Sequence, residues 1–296
     1  MSESTIPAIL VTQFSDFLHM KSQQIQSRLR PHVTVAQLTA DNFAYDGLGA
    51  VEAREVNGRI VPVVFDNIEH LRRKIKRRRF VVTLPIDASD VRGMLADQNG
   101  AYATASISAM ERIFDRVGVE ASFATVQTGR DFSVDLTFAQ DGGLTVDATA
   151  GLIYESFLEA NKNFTNNDVG TDMPENRILL TTGDEEEQLM LETDLTSGDF
   201  SRQFVIDAGT ITRAVGNQLV YYGASAANPI LNVTGAVRDN VLLTGRGLYY
   251  GMSKSMNVTV KDRSDFVETT QVQIVGELGA VRTEGALIQK VTTTPS

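Results

Sequence analysis

A basic block from Arg72 to Arg79 is the largest group of closely spaced charged side chains of one sign in this chain. Seven of its eight residues are Lys or Arg, and the exception is Ile75. Such a block can neutralise several phosphates of a nucleic acid or several carboxylates of a protein. The candidate contact residues are therefore Arg72, Arg73, Lys74, Lys76, Arg77, Arg78 and Arg79.

The rest of the sequence indicates which class of molecule the basic block contacts. The formal net charge of −10 argues against a protein that binds nucleic acid with its whole surface. No aromatic residue interleaves the block, as would be typical of a platform that stacks single-stranded bases. We therefore rank contact with an acidic surface of another copy first, contact with nucleic acid second and simple solvation third. Copies with a basic segment and an acidic body attract head to tail, and such interfaces close into rings.

Other groups that could do chemistry are scattered along the chain. There is no cysteine, and the three histidines lie far apart in sequence, at His19, His32 and His70. The glycine-rich stretch 245–251 lacks the spacing of a dinucleotide-binding loop. Asp87 and Asp90 could bind Mg²⁺, but acidic residues just before a helix are typical of helix caps. We expect no enzymatic activity, no cofactor and no metal site.

The segment before the basic block is predicted to form an extended hairpin. Asn57-Gly58 lies between two runs rich in β-branched residues, and this dipeptide favours a tight turn because both positions need positive φ. The predicted arms are residues 51–56 and 59–65, and a further turn is predicted at Asp46-Gly47. A two-stranded ribbon followed by a basic block is suited to reaching a neighbouring subunit. Asn57 and Gly58 therefore join the candidate contact residues.

Apolar spacing predicts three helices, and a capping box predicts a fourth. The first covers residues 13–29 and is stopped by Pro31, the second covers 102–124 and the third covers 146–164. The fourth begins at the capping box of Thr182 and Glu185, with acidic residues at the positive end of the helix dipole. The expected core positions are Ile107, Met110, Phe114 and Val117 in the second helix and Ile153, Phe157, Ala160 and Phe164 in the third.

Strands are predicted over residues 79–86 and 177–181, and Pro85 with the acidic Asp87 and Asp90 is expected to end the first of them. The C-terminal third is rich in predicted strands, at 241–244, 248–251, 257–262, 271–275 and 279–291. Alternation at Val258/Val260 and at Val272/Ile274 predicts that one face of these strands is buried and the other is wet.

Composition limits the class of protein. A chain of 296 residues is long enough to bury about three quarters of its unfolded surface, as one large domain or two. Residues 1–11 lack a basic start followed by a sustained apolar run, and no stretch approaches about 18 consecutive apolar residues. We expect neither a signal peptide nor a membrane span, and a soluble protein that is made inside the cell.

A series of short motifs resembles the major capsid proteins of tailed bacteriophages. In colinear order they are Phe43-Ala44-Tyr45-Asp46-Gly47-Leu48-Gly49, Val51-Glu52-Ala53-Arg54-Glu55, Asn57-Gly58-Arg59, Arg77-Arg78-Arg79, Asp90, Arg92-Gly93-Met94-Leu95-Ala96-Asp97, Tyr102-Ala103, Ala109-Met110-Glu111-Arg112 and the ending Gly279-Ala280-Val281-Arg282-Thr283-Glu284-Gly285-Ala286-Leu287-Ile288. The specific signal is the order of these motifs over residues 40–291. Where family members often carry Asp-Asp and a Gly-Lys-Asp-Gly-like turn, this chain has Asp115-Arg116 and Gly129-Arg130-Asp131.

The resemblance implies the Hong Kong-type (Johnson) capsid fold, which is a mixed α+β fold. It implies an N-terminal arm over residues 1–38 and an extended hairpin loop over 39–83. It further implies a peripheral domain with a long spine helix over 84–147, an axial domain over 148–252, and C-terminal strands over 253–296 that return to the peripheral domain.

The resemblance also implies a function. A protein of this kind is not an enzyme but a virion component that self-assembles into hexamers and pentamers of an icosahedral shell around a double-stranded DNA genome. Its expected partners are further copies, scaffolding and portal proteins, decoration proteins and packaged DNA held by non-specific contact, with no membrane. Assembly in the host cytoplasm is expected. The alternatives are an encapsulin-like shell protein of the same fold and a DNA-binding regulator that uses the basic block.

Overall fold

The computed structural model describes residues 23–37, 42–55, 57, 65, 68, 70–87, 98–170, 176–192, 210–224, 229–263 and 269–295. The strands are β1 (Thr34–Gln37), β2 (Asn42–Leu48), β3 (His70–Lys76), β4 (Arg78–Asp87), β5 (Val126–Thr128), β6 (Val134–Leu136), β7 (Leu144–Ala148), β8 (Arg177–Thr182), β9 (Arg213–Ala214), β10 (Asn217–Tyr222), β11 (Val233–Thr234), β12 (Val237–Thr244), β13 (Leu248–Arg263), β14 (Thr269–Arg282) and β15 (Ile288–Thr293). The helices are α1 (Gln98–Phe123), α2 (Tyr154–Asn166) and α3 (Gly183–Leu191). None of these helices has the length and apolarity that a membrane span requires.

The strands form three sheets, which together with the helices confirm a mixed α+β fold. One four-stranded sheet has the order β1-β13-β14-β4, and the other has the order β2-β3-β5-β6. The seven-stranded sheet has the order β7-β15-β12-β8-β10-β9, with β11 on β12. The C-terminal strands are thus divided, because β13 and β14 pair with β4 whereas β15 joins the seven-stranded sheet.

The seven-stranded sheet is buried on both faces, and its central strands are accordingly apolar throughout. On β8, Ile178 and Leu180 point into a core that includes Phe114 of α1, whereas Leu179 points into a second core with Phe157 of α2. Successive side chains of a strand face opposite sides, so one apolar run supplies both cores. The sheet is therefore held between α1 on one side and α2 with α3 on the other.

Helix α1 confirms the predicted long helix, and three of the four predicted core positions are correct. Met110, Phe114 and Val117 are buried, but Ile107 is 40% exposed. The helix is buried on more than one side, since Ser106, Ser108 and Ser122 are buried as well. Because some of the buried positions on this helix are serines, the apolar stripe alone did not show every side of the helix that packs against the protein.

A close approach between α1 and β13 depends on Gly118. A Cβ atom at this position would lie 1.7 Å from the hydroxyl oxygen of Tyr250. The Tyr250 ring stacks on Phe114 with 4.1 Å between ring centroids, and its hydroxyl donates to the Phe114 carbonyl at 3.1 Å. The Tyr250 hydroxyl occupies the space that a side chain at position 118 would need, so only glycine fits there.

Residues 23–29, which precede β1, are not helical, and only a single 3-10 turn follows them at Arg30–His32. The predicted helix covers residues 13–29, of which 13–22 lie outside the described residues and 23–29 form irregular chain. The backbone N–H groups of Arg28 and Leu29 donate to the buried Asp115 carboxylate of α1, at 3.0 and 3.3 Å, and the N–H of Ser27 donates to Glu111. The prediction fails over 23–29 because these tertiary acceptors take the donors that a helix would pair internally.

The predicted helix over residues 146–164 begins too early. Residues 144–148 form β7, which pairs in parallel with β15, and Val146 is buried in the second core. Helix α2 begins at Tyr154, with Ile153 as its N-cap residue. Phe157, Ala160 and Phe164 are buried as predicted, so the helical stripe was correct and the extension toward the N-terminus was wrong.

The predicted turn at Asp46-Gly47 and the predicted strand end at Pro85 are both wrong, because these residues lie within strands. Asp46 and Gly47 belong to β2, where they face Arg72 and Leu71 of β3. Pro85 belongs to β4, where it faces Gln271 of β14. An edge strand tolerates proline because the missing N–H can point away from the sheet, and β4 is the last strand of its sheet.

The long strands β13 and β14 replace the predicted strands 248–251, 257–262 and 271–275. The predicted strand 279–291 is instead divided between β14 and β15 by a 3-10 helix at Gly285–Leu287. Val272 and Ile274 of the central strand β14 are buried, as predicted. Val260 and Val258 face them across the ladder, yet both are exposed. Burial on this face therefore ends at the outer part of β13.

Candidate intersubunit surface

The basic block lies on two consecutive strands that belong to different sheets. Arg72 to Lys76 are in β3, Arg78 and Arg79 begin β4, and Arg77 lies between them. At this crossing β14 passes very close, because a Cβ atom at Gly279 would lie 2.4 Å from the Lys76 carbonyl oxygen. The block is thus a structural junction as well as a charged surface.

Strand alternation divides the residues of β3 between two faces. Arg73 and Ile75 point inward and are buried, whereas Arg72 and Lys76 are exposed. The partners of Ile75 in its small core are Val126 and Val281. One unbroken basic run therefore supplies both an internal ion pair and an outward surface.

The internal ion pair joins the base of the predicted hairpin loop to the body of the protein. Arg73 contacts the Asp141 carboxylate at 2.6 Å, and Arg282 of β14 contacts the same carboxylate at 2.7 Å. All three side chains are buried. Two guanidinium groups thus share one carboxylate, which leaves an excess of positive charge.

The C-terminal end of α1 offsets this excess charge. Arg282 donates to the carbonyls of Ser122 and Ala124 at 2.8 and 3.1 Å. These carbonyls lie at the negative end of the helix dipole, where a cation is stabilised. Burial nevertheless lowers the pKa of Arg282 below its ordinary value, and the nearby Arg73 lowers it as well, whereas Asp141 acts in the opposite direction.

The outward residues of β3 lie beside an acidic and an aromatic side chain. Arg72 pairs with Asp46 across the ladder at 2.9 Å, and both side chains are largely exposed. The Phe132 ring has Arg72 and Lys74 within 5.9 Å of its centre. Exposed pairs of this kind contribute little to stability, so these cations can also contact another molecule.

The arginines of the β4 end also have partners in the same chain. Arg77 contacts Glu277 at 3.1 Å, Arg78 contacts Glu120 at 2.5 Å, and Arg79 lies 3.9 Å from Glu277. The Arg79 side chain is 68% exposed. Sequence analysis missed these acidic partners because they lie far away in the chain and carry no local signal.

The predicted hairpin loop leaves the body from an antiparallel ladder. β2 pairs with β3 from Asn42 opposite Lys76 to Leu48 opposite His70. The predicted arm 51–56 shows no strand over residues 51–55, and Asn57 is exposed, while Gly58 and most of the arm 59–65 lie outside the described residues. Apolar side chains beyond the ladder are exposed, namely those of Leu48, Val51, Phe65 and Ile68.

The side chains of this surface are suited to forming ion pairs and apolar contacts with another molecule. Its outward groups are guanidinium and ammonium groups beside exposed aliphatic and aromatic side chains, which suit an acidic and partly apolar protein surface. Within the residues that the structure describes, no cluster of three or more His, Asp or Glu side chains is arranged to hold a metal ion.

Comparisons with known proteins agree with this description. The family model described as phage capsid protein matches residues 6–294, whereas no curated protein sequence matches the chain. Among solved structures, the capsid of Cyanophage P-SCSP1u superposes with a TM-score of 0.73 at 12% identity, over 97% of this chain and 94% of that chain. The acid-stable capsid of Helicobacter pylori bacteriophage KHP30 gives a TM-score of 0.72 at 11% identity, over 99% and 98%. A structure from Mycobacterium phage Che8 gives 0.70 at 15% identity, over 98% of each chain. These identities are low, so the superpositions show a shared fold.

Proposed function

Because this chain belongs to the phage capsid protein family and is a major capsid protein of the virion, we propose that its copies form the hexamers and pentamers of an icosahedral shell. The shell encloses a double-stranded DNA genome. Scaffolding and portal proteins guide its assembly in the host cytoplasm, and decoration proteins bind its outside. The protein acts by binding its own copies and not as an enzyme.

The exposed apolar side chains around the segment that links β2 to β3 carry this proposal. Phe65 is 89% exposed, and Leu48 and Val51 are more than half exposed. A phenylalanine in water forgoes roughly 1.5–3 kcal/mol relative to a buried one, so such residues mark a surface that another molecule covers. A neighbouring subunit supplies that cover, because the part of the extended hairpin loop between β2 and β3 lies across it.

The basic block acts at the same contact. Arg72, Lys76, Arg78 and Arg79 are exposed and face an acidic surface of the neighbour, while Arg73 holds the base of the loop to its own subunit. Electrostatic attraction of this kind favours correct approach and register more than affinity. Packaged DNA is a second, non-specific partner for the same cations.

The proposed peripheral and axial domains of the shell subunit correspond to different sheets. We assign the peripheral domain to α1 with the sheet of β1, β13, β14 and β4, and the axial domain to the seven-stranded sheet with α2 and α3. The axial domain then takes β7 and β15 in addition to residues within 148–252. The N-terminal arm is then the part of residues 1–38 that precedes β1, and its residues 27–30 are held on α1.

Deletion of the loop tests the proposal. We replace residues 52–62 with a short Gly-Ser linker, which leaves β2, β3 and Arg73 intact. An isolated two-stranded ribbon contributes little to the stability of its own subunit, so the variant remains folded with a cooperative thermal transition but builds no stable shell. Light scattering measures assembly, and the unaltered protein is the control. A variant that assembles normally removes the loop from the interface, and one that unfolds places the loop in the subunit's own core.

A further inference from the structure

Residues 24–30 form a strap across the junction between α1 and the seven-stranded sheet. On one side the strap lies on Asp115 of α1. On the other side Arg28 donates to the Tyr221 carbonyl of β10, and its guanidinium carbon lies 5.8 Å from the centre of the Tyr222 ring. The strap therefore contacts both of the elements that meet at this junction.

The Asp115 carboxylate is fully buried and takes its hydrogen bonds from the strap. It accepts the backbone N–H groups of Arg28 and Leu29 at 3.0 and 3.3 Å, and the Ser27 hydroxyl donates to it as well. The side-chain amide of Gln24 is a further donor. A buried carboxylate that loses its donors is strongly disfavoured. Because lifting the strap removes these donors together, the strap binds and releases as one unit.

Leu29 fills the point where the strap crosses the junction. Its side chain is fully buried, in the core that also contains Phe114 of α1, Tyr222 of β10 and Tyr250 of β13. A Cβ atom at Gly118 would lie 2.6 Å from the Leu29 Cδ2 atom, so the leucine rests directly on the helix. Hydrogen bonds and apolar burial thus hold the strap at the same place.

The strap is hinged next to β1. Only residues 31–33 separate Arg30 from Thr34, which begins β1 and pairs with Tyr249 of β13. The four peptide steps from Arg30 to Thr34 span at most about 14 Å. The ladder with β13 holds β1 independently of Asp115, so the strap can lift while β1 stays paired and can rebind only on its own subunit.

We propose that the strap is a releasable lock. While it is bound, it holds α1 against the seven-stranded sheet, and when it lifts as a unit it allows these two elements to shift relative to each other. Opening of this kind is local unfolding, which requires less free energy than unfolding of the whole chain. The lock does not rest on the proposed function, because the strap and its anchors belong to one subunit.

Trypsin cleavage of the purified full-length protein tests the release. The strap contains two arginines, and the second is followed by Pro31, which blocks trypsin, so the bond between Arg28 and Leu29 is the cleavable one. Its Leu29 N–H is bound to Asp115, so cleavage requires an open strap and its rate follows the open fraction. Mass spectrometry identifies the fragment that begins at residue 29.

Two variants should open the strap from its two sides. Asp115→Asn replaces an acceptor oxygen with an NH₂ group that faces the donors of the strap, and we expect cleavage to become faster by about tenfold or more. Ser27→Ala removes one donor from the strap and leaves α1 unchanged, and we expect a smaller increase of roughly threefold or more. If Asp115→Asn does not fold, Ser27→Ala decides the test.

Matched controls lie in the same segment and in the same residue type. Ile25→Ala alters a strap residue that is 52% exposed, and Asp131→Asn alters an exposed carboxylate between β5 and β6. Both should be cleaved at the rate of the unaltered chain. Circular dichroism checks that each variant keeps a cooperative thermal transition.

Hydrogen exchange of the same samples tests the locking. In the variants that open the strap, amide groups of β10 should exchange faster, whereas those of α2, on the opposite side of the sheet, should not change. Cleavage at an unchanged rate in both variants, or unchanged exchange in β10, overturns the lock. Equal cleavage after Arg28 and after Arg116 of α1 shows global unfolding and also overturns it. A chain that shows the expected cleavage and exchange but forms no shell keeps the lock and loses the proposed function.

Discussion

Neighbouring arginines of the basic block form ion pairs of different kinds, buried or exposed, because their side chains point to opposite faces of the strand. Arg73 is buried against Asp141, whereas Arg72, next to it in sequence, pairs with Asp46 in water. In water the two charges are already well solvated, so an ion pair adds little. In the interior, a charge that loses its partner is left without either solvent or counter-ion.

This difference predicts unequal effects of one substitution at two sites. Asp141→Asn leaves Arg73 and Arg282 buried without their carboxylate, and we expect it to lower the free energy of unfolding by roughly 3–5 kcal/mol. Asp46→Asn breaks the exposed pair with Arg72 and should change it by about 1 kcal/mol or less. Chemical denaturation of both purified variants measures the values. Equal effects at the two sites would mean that the buried cluster does not anchor the loop base.

At the scale of elements, the start of α3 combines a helix cap with a buried ion pair. The Glu185 carboxylate accepts the backbone N–H of Thr182 at 3.1 Å, as the capping box predicts. It is also fully buried and contacts Arg238 of β12 at 2.9 Å and the Thr293 hydroxyl of β15 at 2.6 Å. The cap therefore ties one helix to two strands of the seven-stranded sheet.

The same carboxylate makes stability depend on pH. Burial by itself raises the pKa of Glu185, but the hydrogen bonds of Thr182 and Thr293 and the charge of Arg238 outweigh it, so the pKa lies below its ordinary value of 4.5. A group with a lowered pKa in the folded state contributes stability above its ordinary pKa and loses it as the pH falls through the folded value.

We therefore expect that Glu185→Gln lowers the thermal midpoint near neutral pH and flattens its fall below about pH 4.5. Glu187→Gln, on the exposed side of the same helix, should keep the acid dependence of the unaltered chain. Thermal unfolding followed by circular dichroism between about pH 7 and about pH 3 makes the comparison. An unchanged acid slope in Glu185→Gln would show that this cap does not contribute to acid unfolding.

Local signals predicted the elements whose determinants are local. The stripe of Met110, Phe114 and Val117 located α1, and the residues from Thr182 to Glu185 located the start of α3. The segment 23–29 and strand β7 could not be predicted, because a carboxylate on α1 and the distant strand β15 decide their conformation. The candidate contact residues were chosen by residue type, and their contact with another subunit stays a prediction. The burial of Arg73 depends on Asp141 and Arg282, which no spacing rule connects.

At the scale of the whole molecule, charge is distributed unevenly. The chain has a net charge of −10, yet seven of its positive charges lie within eight consecutive residues. Most of these cations have an acidic partner in their own subunit, so the surface around the block is less positive than the sequence suggests. In the intersubunit contact that we propose, the exposed arginines of β4 therefore matter more than the total charge.

Replacing Arg77, Arg78 and Arg79 with Ser tests that role. The pairs that these residues form are partly exposed, so the monomer should keep its fold with a loss of roughly 1 kcal/mol per pair or less. Capsomer formation should weaken, and its dependence on salt should become smaller, because a charged contact has been removed. Sedimentation at two salt concentrations measures both. A normal yield of shells from a folded variant would remove these arginines from the interface.

Electron microscopy of the expressed full-length protein, alone and together with its scaffold, tests the central claim most directly. Because the chain belongs to the phage capsid protein family and exposes apolar and basic side chains around its loop base, we predict closed shells or separate hexamers and pentamers. A sample that contains only folded monomers at high concentration, with the scaffold present, would contradict the account.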